Sequence, residues 1–466
     1  MPCQNKKLAI GIMSGTSMDG VDVALVELTD ESLDCKGQGR DNPDSYDQSS
    51  ENQRYKYTKC ESSERVDIWH EGTECVDSER ENSAIEQGSS RVRAELHEPE
   101  KYQQCAKVRL IDFETYPYPV TVRERLLELA GGAGSSTKEL CLMQELLGKL
   151  YARACLELCK KAGVKASDIA FAGCHGQTLW HQPTATEYLG ESVRGSLQLG
   201  DPSFINEALG CPVVSDFRLR DMAAGGQGAP IVPYTEFLMY RGDEAVALLN
   251  IGGIANITVL PANCELSDVL AFDTVPGNAL IDKLVSNYSD GMLDYDAGGK
   301  IALSGSCNEA LLRFMIGRDD FLSGKPPKST GREHYNLDYL KEIDAFCRNN
   351  DISEVDEIAT VTRFTAECVY RSIVDFSTCM PKRLIVSGGG AHNEAILGHL
   401  RALFTECEVI TATEAGINPD AKEAVAMAVL AGETLKGRCN NVPSVTGAGH
   451  PVVMGRISGI HFIEKD

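Results

Sequence analysis

The sequence predicts an α/β fold made of two related halves that face one cleft. Three observations lead there. Apolar runs of strand length alternate with longer stretches whose apolar residues recur at helical spacing. A strand, a glycine-rich turn and a second strand occur once in each half, as Ile10-Gly-Ile-Met-Ser-Gly-Thr-Ser-Met-Asp-Gly-Val-Asp-Val-Ala-Leu-Val26 and as Leu248-Leu-Asn-Ile-Gly-Gly-Ile-Ala-Asn-Ile-Thr-Val-Leu260. A third glycine-rich turn, Val386-Ser-Gly-Gly-Gly390, closes another apolar strand.

Taken in order, 8–13 and 21–28 read as strands around the first turn, and 108–113 as a third strand. Helical spacing covers 122–129 and 138–162. A short buried strand at 169–173 precedes a helix at 202–209. In the second half 244–249 and 254–260 are strands, and a helix follows Asn278. The stretch 355–376 is a long amphipathic helix. Strand 383–387, helix 394–404, strand 408–411 and helix 421–435 complete the pattern. Residues 1–221 are expected to form one domain and 222–466 a second.

One segment departs from this pattern. Residues 31–104 hold 18 acidic and 10 basic residues but only seven Leu, Ile, Val or Phe. Too little apolar surface is present to offset ordering entropy, so the segment reads as a disordered or loosely ordered insertion.

Composition excludes several classes. Charged residues are 24% and hydrophobic residues 42% of the 466, ordinary for a globular chain. No run approaches the roughly 18 apolar residues of a membrane span. The polar start is not a secretory signal. A net charge of −23 disfavours a nucleic-acid partner but leaves room for a small phosphorylated ligand. The 17 cysteines include no Cys-x-x-Cys pair. Cys155 and Cys159, one helical turn apart, read as a zinc pair or as small buried hydrophobes. Reduced thiols and no signal point to the cytoplasm.

Glycine allows the backbone to approach a phosphate and aim N–H groups at it. The three turns therefore suggest a nucleotide cleft, with Gly15 to Asp22, Gly252, Gly253, Asn256 and Gly388 to Gly390 as its rim. The Walker, dinucleotide and protein-kinase signatures are absent. Asp19 and Asp22 sit among Gly15, Thr16, Ser17, Met18, Gly20 and Val21. They would repel a bare phosphate and make sense with Mg²⁺ between, or else hold their own turn. His175 and Trp180 follow a strand end and suit either a sugar or a structural role. Arg218 suits an anionic or hydroxyl-rich ligand, or a surface turn. Asp273 is either a carboxylate at the cleft mouth or a turn residue. Glu423 is either a metal ligand or a first-turn glutamate favoured by the helix dipole.

Several motifs together resemble the anhydro-N-acetylmuramic acid kinase family. They are Ile12-Met-Ser-Gly-Thr-Ser-Met-Asp-Gly-Val-Asp22, Gly173-Cys-His-Gly-Gln-Thr-Leu-Trp-His-Gln-Pro183, Leu197-Gln-Leu-Gly-Asp201, Asp216-Phe-Arg218, Gly225-Gly-Gln-Gly-Ala-Pro230, Asn250-Ile-Gly-Gly-Ile-Ala-Asn256, Pro327-Lys-Ser-Thr-Gly-Arg-Glu333, Ser387-Gly-Gly-Gly390 and Pro443-Ser-Val-Thr-Gly447. The resemblance implies two ribonuclease-H-like domains of the acetate and sugar kinase/Hsp70/actin type around an ATP cleft. It implies ATP-dependent opening and phosphorylation of 1,6-anhydro-N-acetylmuramic acid, with a cytoplasmic homodimer. By the same resemblance Asp273 is the general base. Gly15 to Asp22 hold phosphates, and Asp19 and Glu423 hold Mg²⁺. His175, Gln177, Arg218, Gln227 and Gly228 meet the sugar. A sister branch acts on levoglucosan. One position departs from the family loop Asp-Thr-Gly-Pro-Gly-Asn. Val275 stands at its first glycine, where a Cβ is expected to restrict φ or crowd a phosphate. That position is the support for a third reading, a non-catalytic sensor.

Overall fold

The computed structural model describes residues 6–15, 18–29, 107–132, 134–328, 335 and 337–459. Segment 31–104, Thr16 and Ser17 lie outside them. The described residues all belong to one compact unit.

The first sheet begins with β1 (Lys6–Ser14), β2 (Gly20–Thr29) and β3 (Lys107–Pro117), an antiparallel meander. Next come β4 (Ile169–Tyr188), β5 (Glu191–Leu199) and β6 (Val213–Ser215). β4 runs parallel to β1, and β6 parallel to β4. The second sheet repeats the plan. β7 (Val246–Ile251), β8 (Ile254–Leu260) and β9 (Leu270–Pro276) form a meander, and β10 (Arg383–Ser387) and β11 (Glu408–Thr411) add in parallel. The orders are β6-β4-β1-β2-β3 and β11-β10-β7-β8-β9, the ribonuclease-H-like order twice. The last strand, β12 (Arg456–Ser458), returns to pair with β6 in the first sheet.

β1 and β7 are buried on both faces and read as nearly continuous apolar runs. Helix Lys422–Leu435 is small-residue rich and buried almost all round, because it packs on β1 and β4. Helix Glu354–Phe376, capped by Ser353, forms the centre of the second core.

Two differences from the sequence reading have plain causes. β4 extends far beyond 173 and pairs with β5 as a long arm. Its outer residues are polar and exposed, so hydrophobic periodicity carries no signal there. The arm turns at Leu189 and Gly190, both at positive φ (53° and 86°), as a two-residue hairpin needs. Helices Pro233–Tyr240, Glu309–Arg318 and Leu337–Asn349 were not expected. Cys155 and Cys159 are buried, and burial pushes both thiols up. Both pack in the hydrophobic core of the first sheet, as small hydrophobes do.

Candidate active site

The first glycine turn is built on a buried polar network. Ser14 Oγ donates to Gln177 Oε1 at 2.6 Å, and Gln177 Nε2 donates to the Gly15 carbonyl at 3.0 Å. Gln177 is fully buried, so it shapes the turn from within the fold. Met18 takes a left-handed backbone (φ 54°), and its side chain joins Val21 in the core. Asp19 is left exposed at the tip. Asp22 is half-buried and accepts from Thr115 Oγ1 at 2.6 Å. Burial pushes its carboxyl up, Thr115 opposes this, and the charges of Asp19 and Asp420 add to it.

Helix Lys422–Leu435 brings Glu423 to the same place. Glu423 opens onto the cleft but is crowded by protein, which pushes its carboxyl up. Lys422 and Arg218 pull it back, and Asp22 pushes it further. Asp22 thus feels the charge of both Asp19 and Glu423, while among the described residues no three such groups come close enough to hold a metal ion together.

A cleft of about 550 Å³ holds Asp273. Asn250, Asn256, Gln227, Gly388, Gly389 and Glu423 line it as well, with Lys328, His392, Asp420 and the pair Lys422–Glu236, 2.5 Å apart. Asp273 sits in β9, and its N–H donates to the Lys328 carbonyl at 3.2 Å. Gly388 needs its positive φ (77°), and a Cβ there would lie 2.7 Å from the Ile251 carbonyl oxygen. Gly389 also lines a second cavity of about 560 Å³, together with Gly252, Gly253, Asn278 and Asp282. Burial pushes the Asp282 carboxyl up to about 6. The carbonyls of Gly252 and Gly253 accept from the N–H groups of 277 to 279 and so fasten the start of helix Ala279–Tyr288.

Val275 does not crowd this site. It pairs with Ala255 in the ladder, is fully buried in the second core and shows no positive φ. The glycine that must approach another backbone is Gly277, where a Cβ would lie 2.3 Å from the Gly252 oxygen.

The expected sugar residues separate into two groups. Gln227 lines the cleft with Asp273, whereas His175, Gln177, Arg218 and Gly228 do not. His175 Nδ1 donates to the Gly176 carbonyl at 2.8 Å, and its Nε2 accepts from Arg218 Nε at 3.0 Å. Arg218 Nη1 in turn donates to the Gly228 carbonyl at 2.8 Å. Burial, with the Arg218 charge beside it, pushes the His175 imidazole down to about 3, so the ring is neutral. Burial brings Arg218 down to about 10, and Glu423 opposes this.

Sequence reasoning passed over Asp221. It is fully buried and organises the Gly225–Gly228 loop. Its Oδ2 accepts from Gly228 N at 2.8 Å, and its Oδ1 accepts from Asn441 Nδ2 at 2.7 Å and Thr446 Oγ1 at 2.8 Å. The signal was present only as a carboxylate close to a glycine-rich turn.

This fold and cleft agree with what the chain is similar to. The family model for anhydro-N-acetylmuramic acid kinase matches residues 100–459. A protein of that name from Caldanaerobacter subterraneus subsp. tengcongensis is 38% identical over 458 residues, 98% of each chain. One from Francisella tularensis subsp. novicida is 34% identical over 455 residues, 97% of this chain and 98% of its own. One from Salinibacter ruber is 39% identical over 351 residues, 74% of this chain and 87% of its own. Similarity along the whole chain, on a sheet order used twice, shows that this protein belongs to the anhydro-N-acetylmuramic acid kinase family and is an enzyme of the kinase class.

Proposed function

We propose that the protein uses ATP to open the 1,6-anhydro bridge of 1,6-anhydro-N-acetylmuramic acid and to phosphorylate the released O6. The products are N-acetylmuramic acid 6-phosphate and ADP. The observation that carries this reading is the single cleft in which Asp273, Gln227, Glu423, Gly388 and Gly389 meet.

The chemistry follows from the bond to be broken. The bridge ties C1 to O6 within one sugar. Asp273 takes a proton from water as its oxygen bonds to C1, the task of the base in an inverting glycosidase. The C1–O6 bond breaks, and O6 bonds to the γ-phosphorus of ATP as the bond to ADP breaks in line. One carboxylate base then suffices, because phosphoryl transfer replaces protonation of the leaving oxygen. Gly389 borders both cavities, so a nucleoside beside Asp282 would extend its phosphates past Gly388 and Gly389 towards Asp273. Mg²⁺ held by Asp19 and Glu423, with Asp22 beside them, would neutralise phosphate charge. Gln227 meets the sugar directly, and the Arg218–His175 pair supports the Gly228 backbone behind it.

The boundary at 221 does not divide the lobes, because helix Lys422–Leu435 packs on β1 and β4 and β12 pairs with β6; the lobes are the two sheets with their helices, and their closure excludes water before phosphoryl transfer. The enzyme works as a cytoplasmic homodimer, which light scattering on the purified chain tests. Among the described residues no helix is long and apolar enough to cross a membrane. The deciding experiment is coupled ADP release with 1,6-anhydro-N-acetylmuramic acid and with levoglucosan, each with product identification. ADP and a 6-phosphate from the muramyl sugar support the reading. ADP with levoglucosan alone moves the protein to the sister activity, and sugar binding without any product makes it a sensor.

A further inference from the structure

We infer that Lys328 is a positioning residue for the Asp273 base, gripping β9 through its main chain at Asp273 and through its ammonium at Phe272. The inference rests on the proposed role of Asp273.

The sheet order leaves β9 at the edge of the second sheet, so its outer N–H groups need partners from elsewhere. The Lys328 carbonyl supplies one, accepting from Asp273 N at 3.2 Å. The side chain of the same residue holds the neighbouring position. Lys328 Nζ lies 5.5 Å from the centroid of the Phe272 ring and 4.8 Å from each of the Phe321 and Phe376 rings. Its N–H groups donate to the carbonyls of Phe321 and Leu322, both at 2.9 Å. Phe272 and Phe376 meet edge to face with centroids 5.8 Å apart, so the walls of this box are themselves fixed. An ammonium with two carbonyl acceptors and three ring faces has little freedom left. Two consecutive residues of β9, the second of them the base, are thereby clamped by one lysine.

The clamp carries charge as well as shape. Burial pushes the Lys328 ammonium down, and the charges of Asp319, Asp375 and Asp273 oppose this. By reciprocity the ammonium favours the ionised form of Asp273, the form a base requires. Among the described residues the other charged groups lining the cleft are Glu236, Asp420, Lys422 and Glu423, with His392 beside them.

The test compares Lys328→Met and Lys328→Arg with Asp273→Asn in full-length protein. ADP release with the muramyl sugar is followed across the acid limb of the pH profile. Lys328→Met is expected to lower kcat roughly tenfold to a hundredfold, with little change in KM. Its acid limb is expected to move to higher pH by about half a unit or more. Lys328→Arg keeps the charge but not the fit, so its kcat falls while the limb stays in place. Limb position does not depend on the fraction of active protein, so partial unfolding cannot imitate the shift. An unmoved limb and an unchanged kcat in Lys328→Met overturn the inference. If that variant does not fold, unchanged kcat in Lys328→Arg overturns it. Normal turnover in Asp273→Asn removes the base itself, a different failure from either.

Discussion

Gly11 of β1 and Gly173 of β4 stand opposite each other in parallel register, and the backbone of helix Lys422–Leu435 lies against both. A Cβ on Gly11 would lie 1.7 Å from the Ala424 carbonyl oxygen, and one on Gly173 would lie 2.1 Å from that of Met427. Neither oxygen belongs to a side chain that can rotate away. Gly11→Ala should therefore shift the helix, and Glu423 with it. We expect a loss of about 1–3 kcal/mol of stability and a raised Mg²⁺ requirement. Thermal melts and a Mg²⁺ titration of activity check this. An unchanged melting temperature would mean that the helix does not rest on β1.

Asp273→Asn keeps the size of the side chain but removes the base. Turnover should fall by about 10²–10⁴-fold. Binding of sugar and nucleotide, measured by calorimetry, should change little. Near-wild-type ADP release would exclude Asp273 from proton transfer.

Asp221 acts on the site from inside the fold. Removing its carboxylate leaves Gly228 N and Asn441 Nδ2 short of an acceptor, and Thr446 Oγ1 keeps only the longer contact to the Val442 carbonyl at 3.4 Å. Each unsatisfied buried donor costs about 1–3 kcal/mol. Asp221→Ala should unfold at lower denaturant, and what remains folded should show a higher KM for sugar than for ATP relative to wild type, since Gln227 belongs to the same loop. Equal effects on both substrates would argue against a role of this loop in sugar binding.

His175 sets an acid limit on stability. Its imidazole is held down to about 3 in the folded state by burial and by Arg218, against about 6.5 when unfolded. Between these values the unfolded chain binds a proton that the folded chain does not. Stability is therefore fully present above about pH 6.5 and is lost as pH falls towards 3, by about 1.4 kcal/mol per pH unit. His181, held down to about 4 mainly by burial, adds to the same trend. His175→Gln should flatten the slope of urea midpoints against pH by close to one proton. An unaltered slope would place the titration elsewhere.

Local signals made part of the site readable. The glycine turns at 15–20, 252–253 and 388–390 announced themselves through residue type and strand flanks, and Asp273 stood next to one such loop. Gln227 was legible as part of a glycine-rich motif. Lys328 was not, because its partners Phe272, Phe321, Phe376 and Asp273 come from separate segments. Val275 shows the converse. As a letter it appeared to conflict with a phosphate loop, yet the register shift of β9 at Thr274 turns its side chain into the core with Phe272.

Residue order by itself determined the two α/β halves, the paired glycine turns and the family, because periodicity and backbone freedom are properties of neighbouring residues. Tertiary structure alone decided that Glu423 feels the charge of Asp22, that His175 and Arg218 satisfy each other, and that Lys328 clamps the edge of β9. Burial, charge coupling and hydrogen-bond supply depend on what packing brings within a few ångströms, and distance along the chain does not encode that.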